Sequence, residues 1–326
     1  MVDESFDVIT RDANPEEVQA ALRDHKVARG IGDHIEGASL YNPSDPLLDA
    51  VNTAIAVGSP LLVTGEPGTG KTQVAFWVAR MLGMKGAPYM LPVHSETRSR
   101  DLLYTFDRVS WFHAHRAAKV RSKRHRFIQP GPLAQAYQYQ QEVDGALQES
   151  RACVLIDEID KAPRDFPNDL LHALDQHQFQ VPEWDKPGQP VPPWSASRPK
   201  QPPIIIITSN SERRLPEAFL RRCIFHHIAF DPEMVKKAVD ARVQADIFGA
   251  LEADFIQQAI ARFLEVRKRE PELRKRPATA ELLVWLHVLQ ASGVTKIERI
   301  AAEVPLGRLP QLGCLIKDRD DLEQLG

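Results

Sequence analysis

The residues of this sequence most able to do chemistry lie in a glycine-rich segment between positions 65 and 72. The segment reads Gly65-Glu66-Pro67-Gly68-Thr69-Gly70-Lys71-Thr72. Its G-x-x-x-x-G-K-T spacing is that of a phosphate-binding loop, whose glycines let backbone N–H groups surround phosphate oxygens. In that pattern, Lys71 reaches the β- and γ-phosphates of a nucleotide, and Thr72 offers its hydroxyl to Mg²⁺. We therefore predict that this loop binds nucleotide phosphates.

The sequence on either side of the loop supports this interpretation. Pro60 to Thr64 is an apolar run that predicts a buried strand, and Gln73 to Leu82 predicts a helix. Four apolar residues share one face of that helix: Val74, Val78, Met81 and Leu82. The motif requires this strand–loop–helix order, and a helix N-terminus adds partial positive charge near a phosphate. The alternative, a glycine-rich turn before a surface helix, leaves a second set of polar residues downstream unexplained.

That second set follows a strand predicted from Cys153 to Ile156. Four consecutive apolar residues are typical of a strand that is covered on both faces of a parallel sheet. Open α/β sheets bind ligands at the carboxyl ends of such strands. We predict that Asp157 holds the Mg²⁺ shell and that Glu158 orients and polarises the attacking water. The alternative is a charged turn after a core strand.

A third strand is predicted by the run of four isoleucines from Ile204 to Ile207, which leads through Thr208 and Ser209 to Asn210. We predict that this strand lies between the other two, with Asn210 at the same sheet edge. Its amide would hold the water or the γ-phosphate. The alternative is that Asn210 is only a turn residue, since asparagine is common in turns.

The composition excludes several classes of protein. The net charge of −3 over 326 residues gives no general attraction to nucleic acid. The three cysteines, Cys153, Cys223 and Cys314, lack metal-binding spacing, and a strand-buried Cys153 favours a reducing compartment. No apolar run reaches the ~18 residues of a membrane span, and Met1 to Arg11 lacks the apolar core of a signal peptide. We expect a cytoplasmic protein.

The predicted elements divide the chain into three parts. We predict an N-terminal helical extension at residues 1–34, an α/β core at 35–230 and a helical domain at 231–326. Within the first two parts, a strand is predicted at Pro88–Val93, and helices at Pro15–Arg23, Pro46–Val57, Glu96–Leu103, Leu133–Glu149 and Arg164–His177. The last part reads as helices only, at Pro232–Ala245, Glu252–Arg269 and Thr279–Ala291.

Two insertions are predicted within the core, at residues 107–132 and 178–203. The first is basic and starts with an aromatic pair, which fits either a substrate-contact loop or a loop that docks on an acidic neighbouring subunit. Its basic residues are Arg108, Arg116, Lys119, Arg121, Lys123, Arg124 and Arg126. The second contains eight prolines between Pro182 and Pro203 and favours an extended loop. Its tryptophans, Trp184 and Trp194, form either a partner surface or anchors to the core.

The order of these motifs resembles an AAA+ ATPase of the MoxR branch. Asp157–Pro163, DEIDKAP, is similar to that branch's DEINRAP segment, and Leu215–Arg222, LPEAFLRR, is similar to its LPEAxxDR. The resemblance spans roughly residues 38–290. It implies an AAA+ P-loop αβα sandwich with a parallel sheet, followed by a small all-helical lid domain. It also implies ATP with Mg²⁺, a homo-oligomeric ring that is usually a hexamer, and chaperone or remodelling activity on a protein partner, often one with a von Willebrand A domain.

The resemblance further assigns roles to arginines. Arg222 matches the finger that reaches a neighbouring subunit's phosphate, but Arg221 stands where the family often has Asp, so either of the two fits the role. A second phosphate-sensing arginine is implied in the helical domain. Arg276 is the candidate, with Lys275 and Arg274 as alternatives because the order of Pro and Arg is reversed here.

Three functions fit the sequence. The favoured one is an ATP-hydrolysing ring that remodels a protein partner. The second is a nucleic-acid motor or loader, for which the basic insertion is the only sequence support. The third is a GTP-using subunit of a restriction-type complex, against which stands the lack of an Asn-Lys-x-Asp motif.

Overall fold

A computed structural model of the chain describes residues 34–117, 123–143, 146–176, 180–188, 191–192, 202–269 and 273–325. These residues form two compact units. The sheet unit comprises Pro43–Gly65 and Lys71–Ile228. The described residues of the helical unit lie within Met1–Asn42, Glu66–Gly70 and Ala229–Gly326. The helix predicted at Pro15–Arg23 lies outside the described residues.

A five-stranded parallel sheet organises the sheet unit. Its order across the sheet is β2 (Tyr89–Pro92), β7 (Cys153–Asp157), β8 (Ile204–Ser209), β1 (Leu61–Gly65), β9 (Ile224–Ile228). The apolar runs of β1, β7 and β8 are buried along almost their whole length, as expected for strands of a parallel sheet flanked by helices. The predicted position of β8 between β7 and β1 is confirmed. The fold is the predicted α/β P-loop fold.

The remaining elements of the sheet unit are helices and two small antiparallel hairpins. The helices are α2 (Asp45–Val57), α3 (Lys71–Met81), α4 (Arg108–Ala117), α5 (Pro132–Tyr137), α6 (Phe166–Gln176) and α7 (Glu217–Leu220). The hairpins pair β3 (Tyr104–Phe106) with β4 (Ile128–Pro130), and β5 (Gln140–Val143) with β6 (Ala146–Glu149). The first predicted insertion therefore carries a helix, α4, and a strand, β4.

Two helix predictions in the sheet unit are wrong. The one at Leu133–Glu149 ends at Tyr137 as α5, and the chain then forms β5 and β6. The sequence signal for this hairpin is the Asp-Gly pair at 144–145, a dipeptide that favours tight hairpin turns. The other, at Glu96–Leu103, is only a 3₁₀ turn at Ser99–Leu102, because the β-prone Tyr104-Thr105-Phe106 begins a strand directly afterwards.

The described part of the Pro-rich insertion packs on the first insertion. Val181 is buried beside Tyr104 and Ile128, and Trp184 contacts the same cluster. The Asp185 carboxylate accepts hydrogen bonds from the backbone N–H groups of Arg124 and His125, each at 2.9 Å. Of the two readings of the tryptophans, Trp184 therefore acts as an anchor, while Trp194 lies outside the described residues.

The helical unit contains α1 (His34–Ala38), α8 (Pro232–Gln244), α9 (Ala253–Arg267), α10 (Thr279–Ala291) and α11 (Arg319–Leu325). Helix α8 begins as the sequence predicts, with Pro232 in the first turn and the Asp231 carboxylate accepting from the Glu233 N–H. Apolar faces of α8, α9 and α10 form one core around the fully buried Trp285, Phe255 and Phe263. Three of the predicted helices are thus confirmed to within two residues at each end.

Candidate active site

The glycine-rich loop has the backbone shape that its sequence predicts. It connects Gly65, the last residue of β1, to Lys71, the first of α3. Gly68 and Gly70 adopt φ values of +77° and +87°, a left-handed region that favours glycine. Space also requires glycine at position 68, where an added Cβ would lie 2.9 Å from the Cβ of Ala278. The Lys71 side chain is buried, and its Nζ donates to the Gly65 carbonyl at 3.0 Å.

The predicted metal-binding residues lie together at the carboxyl edge of the sheet. The Thr72 hydroxyl donates to Oδ1 of Asp157 at 3.0 Å. The same carboxylate oxygen accepts from the hydroxyl of Thr208 at 2.6 Å. Thr208 lies on β8 and was not among the sequence candidates, although its place two residues before Asn210 on a motif strand was the available signal. The sheet register therefore brings α3, β7 and β8 to one carboxylate.

Glu158 lies beside Asn210 and is held by several hydrogen bonds. Glu158 has φ +61°, uncommon for a residue with a side chain, and its backbone N–H donates to the Thr208 hydroxyl at 2.8 Å. Oε1 accepts from the Asn210 amide at 3.2 Å, and Oε2 pairs with Lys161 Nζ at 2.5 Å. A backbone strained in this way and held from several sides is typical of functional positions.

A further carboxylate, that of Asp160, holds the backbone at Asn210, and the sequence analysis missed it. Asp160 is 3% exposed. Its two oxygens accept from the backbone N–H groups of Asn210 and Glu212, at 3.2 and 3.1 Å. Two hydrogen bonds from backbone amides compensate for burying the charge. Asp160 thus fixes the chain after β8 and, with it, the position of the Asn210 amide.

Comparison with known protein families identifies this arrangement. The family described as AAA domain (dynein-related subfamily) matches residues 60–223, which extend from the start of β1 to the end of the LPEAFLRR segment. The chain belongs to the AAA domain family. The match contains the phosphate loop, Asp157, Glu158 and Asn210, so the AAA domain has the nucleotide-site motifs in the order that the sequence analysis used. The MoxR branch itself stays a prediction.

Two other comparisons add little to this family assignment. No protein of curated function matches the sequence. Among solved structures, the chain is similar to a protein from Cytophaga hutchinsonii described as a "putative ATPase", with 14% identity and a TM-score of 0.39. The alignment covers 74% of this chain and 69% of that protein.

The arginines predicted as fingers lie on the surface of the AAA domain, at the end of α7. Both Arg221 and Arg222 are exposed. Arg221 forms an ion pair with Glu217 at 3.8 Å, and Arg222 donates from Nη1 to the Ala218 carbonyl at 3.0 Å. Both side chains are thus accessible to solvent, and the choice between them stays open.

In the helical unit, Arg267 contacts the phosphate loop. The predicted candidate, Arg276, is exposed, and its sensing role stays a prediction. Arg267, the last residue of α9, pairs with the loop's Glu66 at 2.5 Å. The sequence signal was an arginine at i+11 on the apolar face that Ile256, Ile260 and Phe263 define. The sequence analysis assigned no role to Arg267.

The donors at the sheet edge fit a Mg²⁺ ion. Thr72 and Asp157 offer one hydroxyl and one carboxylate with oxygens 3.0 Å apart. Mg²⁺ is usually bound through one or two such oxygen ligands together with substrate phosphates and water, rather than by a complete protein cage. The described residues contain no cluster of three or more His, Cys, Asp or Glu side chains able to hold a metal. Within the same residues, no helix is long and apolar enough to cross a membrane.

Proposed function

We propose that this AAA domain hydrolyses ATP to ADP and phosphate with Mg²⁺. The observation that carries the proposal is the shared edge of β7 and β8. There, Thr72 contacts Asp157, which is the last residue of β7. Asn210, which follows β8, contacts Glu158, which follows β7. An AAA domain implies nucleotide binding. Hydrolysis needs, in addition, a metal ligand and a carboxylate that can act on water, and these two contacts place such groups side by side.

Each residue has a role that follows from its position. The backbone N–H groups of the glycine-rich loop and Lys71 bind the phosphates. Glu158 accepts a hydrogen bond from the attacking water and orients it, while Asn210 holds the carboxylate through Oε1. Lys161 holds the second oxygen, but this pair is exposed, with 43% of the lysine side chain accessible, so water can replace the lysine readily.

Mg²⁺, held by Thr72 and Asp157, would neutralise negative charge on the phosphates. The hydroxyl donors suit this role, since they orient Asp157 without cancelling its charge. In the reaction, a water oxygen bonds to the γ-phosphorus, the bond to the β,γ-bridging oxygen breaks, and the water proton passes to solvent or to phosphate through Glu158.

The test is phosphate release by Glu158→Gln. This change removes the charge but keeps the shape and the acceptor toward Asn210. We expect hydrolysis to fall ~10²-fold or more, as for the loss of a general base, with ATP binding retained. Glu233→Gln, an exposed glutamate on α8, is the control and should hydrolyse ATP normally. Normal turnover by Glu158→Gln would contradict the proposal.

We further propose that the chain forms a homo-oligomeric ring of MoxR type, usually hexameric, that remodels a protein partner. The support is the similarity of Asp157–Pro163 and Leu215–Arg222 to that branch, together with the exposure of Arg221 and Arg222. An arginine that acts across an interface must be accessible in the single subunit. Mass measurement with ATP bound to Glu158→Gln tests the ring, and a purely monomeric protein would contradict it.

A nucleic-acid-associated motor is the second candidate, and helix α4 favours it. The helix exposes Phe112, and the Arg116 guanidinium lies 5.2 Å from that ring. Basic and aromatic side chains on one surface suit single-stranded nucleic acid. Fluorescence polarisation with labelled single-stranded DNA at two salt concentrations tests this, because phosphate contacts weaken steeply with salt. The GTP-using alternative is tested by competition between ATP and GTP for the loop.

A further inference from the structure

The phosphate loop contains a carboxylate that its proposed ligand should repel. Glu66 is the second residue of the loop. Nucleotide phosphates carry several negative charges, and like charges a few ångströms apart disfavour one another in a poorly solvated site. A positive group beside Glu66 would therefore favour phosphate binding by this loop.

Arg267 supplies the opposite charge from within the same unit. Its Nη2 lies 2.5 Å from Oε2 of Glu66, and its side chain is 7% exposed compared with 47% for Glu66. Its Nη1 donates to the Pro277 carbonyl at 2.8 Å, and its guanidinium carbon lies 3.7 Å from the centre of the Phe230 ring. The planar guanidinium is thus held at three positions, which fixes the direction in which it faces the loop.

The start of α10 meets the same loop. The Ala280 N–H donates to the Gly68 carbonyl at 3.4 Å, and a Cβ on Gly68 would contact Ala278 and Glu281. The Glu281 carboxylate in turn accepts from the Ala278 N–H at 3.1 Å. Arg267 and the first turn of α10 therefore contact the loop at two points, Glu66 and Gly68.

We propose that Arg267 is a positioning residue that neutralises Glu66 and thereby sets the affinity of the loop for nucleotide phosphates. The proposal rests on the proposed ATP-binding function. Its specific content is that Arg267 acts through Glu66, so that the arginine is required only while the glutamate is charged. The ligand whose binding the Arg267–Glu66 pair controls is the anionic polyphosphate of a nucleoside di- or triphosphate.

The experiment is a double-mutant cycle on nucleotide affinity, measured by calorimetry with ATP and ADP in Mg²⁺ on the full chain. Arg267→Met should weaken ATP binding ~10-fold or more, because it removes the guanidinium that offsets the negative charge of Glu66. Glu66→Gln should change affinity by less than ~3-fold. The double variant should bind ATP within ~3-fold of the wild type, since the charge that needed Arg267 is gone.

Two further variants separate this role from simple packing. Arg267→Lys keeps the positive charge and should retain most of the affinity. Arg319→Met removes another ion-paired arginine of the helical unit, whose partner is Glu323, and should leave nucleotide affinity unchanged. An electrostatic effect also requires the Arg267→Met loss to be greater for ATP than for ADP. Thermal unfolding of each variant shows whether the unit stays folded.

The outcomes distinguish this inference from the proposed function. If the wild type binds ATP but Arg267→Met binds it equally well, the inference is wrong and the function stands. If Glu66→Gln fails to rescue Arg267→Met, Arg267 does not act through Glu66 and the inference is again wrong. If the wild type binds no nucleotide, the proposed function fails and this inference fails with it.

Discussion

The sheet unit and the helical unit hold their carboxylates in different ways. In the sheet unit, Asp157 accepts hydrogen bonds from two neutral hydroxyls, those of Thr72 and Thr208. In the helical unit, Glu66 is matched by the guanidinium of Arg267. Hydroxyl donors orient a carboxylate and leave its charge available to a bound cation, whereas a buried guanidinium cancels it. A carboxylate that contacts Thr72 and a carboxylate within the phosphate loop thus have opposite electrostatic uses.

The arginines of the two units differ in the same way. Arg267 is buried and held by three contacts within its own unit. Arg222 is exposed and donates to a carbonyl of its own short helix, α7. A buried arginine can act only inside its own chain, whereas an exposed one can reach another molecule. Substitutions in the two groups should therefore have effects of very different size.

The largest effect should come from Arg222, if it completes a neighbouring subunit's site. Arg222→Ala should bind ATP normally and hydrolyse it ~10³-fold more slowly, as arginine fingers act on the transferring phosphoryl group. Mixed with Lys71→Ala subunits, it should regain activity, because those subunits still supply Arg222 to intact neighbouring sites. Phosphate release by mixtures of known ratio measures this.

Two controls accompany the mixing experiment. Exchange of subunits must first be shown with labelled chains, because unmixed rings cannot complement each other. Arg221→Ala is the matched variant, since Arg221 is the adjacent exposed arginine and pairs with Glu217. Full activity of Arg222→Ala, or exchange without rescue, would contradict a role in trans and point to Arg221 or to a site within one chain.

The second prediction compares the two carboxylates directly. Asp157→Asn keeps an oxygen that accepts from the threonine hydroxyls but removes the charge. Turnover should therefore fall ~10²-fold or more, as when a charge-stabilising group is lost from an active site. Glu66→Gln, an equivalent change on the neutralised carboxylate, should alter turnover only a few-fold. The measurement is phosphate release over a range of Mg²⁺ concentrations. Similar losses in the two variants would contradict the idea that the charge of Asp157 is used and that of Glu66 is neutralised.

The sequence predicted the sheet edge much better than the loop's surroundings. The positions of Asp157, Glu158 and Asn210 were predictable because each lies at the end of an apolar strand or directly after it, and parallel strands end at the same edge. Asp160 and Arg267 were missed because their roles depend on pairings across 50 and 201 residues of sequence. No local pattern encodes such contacts. The hairpin of β5 and β6 was missed for another reason, since a helical pattern was given more weight than the Asp-Gly turn signal.

The third prediction compares a buried lysine with an exposed one. Lys71 is 6% exposed, and its loss removes a charge-assisted contact to the phosphates of about 1.5–3 kcal/mol. Lys71→Ala should therefore weaken ATP binding ~10-fold or more. Lys161 makes an exposed pair with Glu158, of a kind worth about 0–1 kcal/mol, so Lys161→Met should change affinity less than ~3-fold. Calorimetry with ATP on both variants decides, and unchanged binding by Lys71→Ala would exclude it from the phosphate site.

The smallest expected effect is on the pH dependence of stability, and it comes from two histidines, one in each unit. In both, the folded state disfavours the protonated, charged ring. Burial lowers the pKa of His287 on α10 below its ordinary value of 6.5. Burial, and next the charge of His227, lowers the pKa of His226 on β9. In the described residues, Nδ1 of His287 is buried without a hydrogen-bond partner, which agrees with a neutral ring.

Both histidines should make the protein less stable in mild acid. Because each pKa is lower in the folded state, the unfolded chain binds more protons between the folded pKa and about 6.5, and stability rises with pH across that window. The contribution of each histidine to the free energy of unfolding is thus fully present above pH ~6.5. It is lost as the pH falls toward the pKa of that histidine in the folded state. NMR titration at low and high salt separates the two causes. Salt should raise the pKa of His226 toward its ordinary value, because salt screens the charge of His227, and leave that of His287 nearly unchanged, because burial is not screened. His287→Gln should flatten the decline of the denaturant midpoint between pH 7.5 and 5.5, and an unaltered decline would show that His287 is protonated equally in both states.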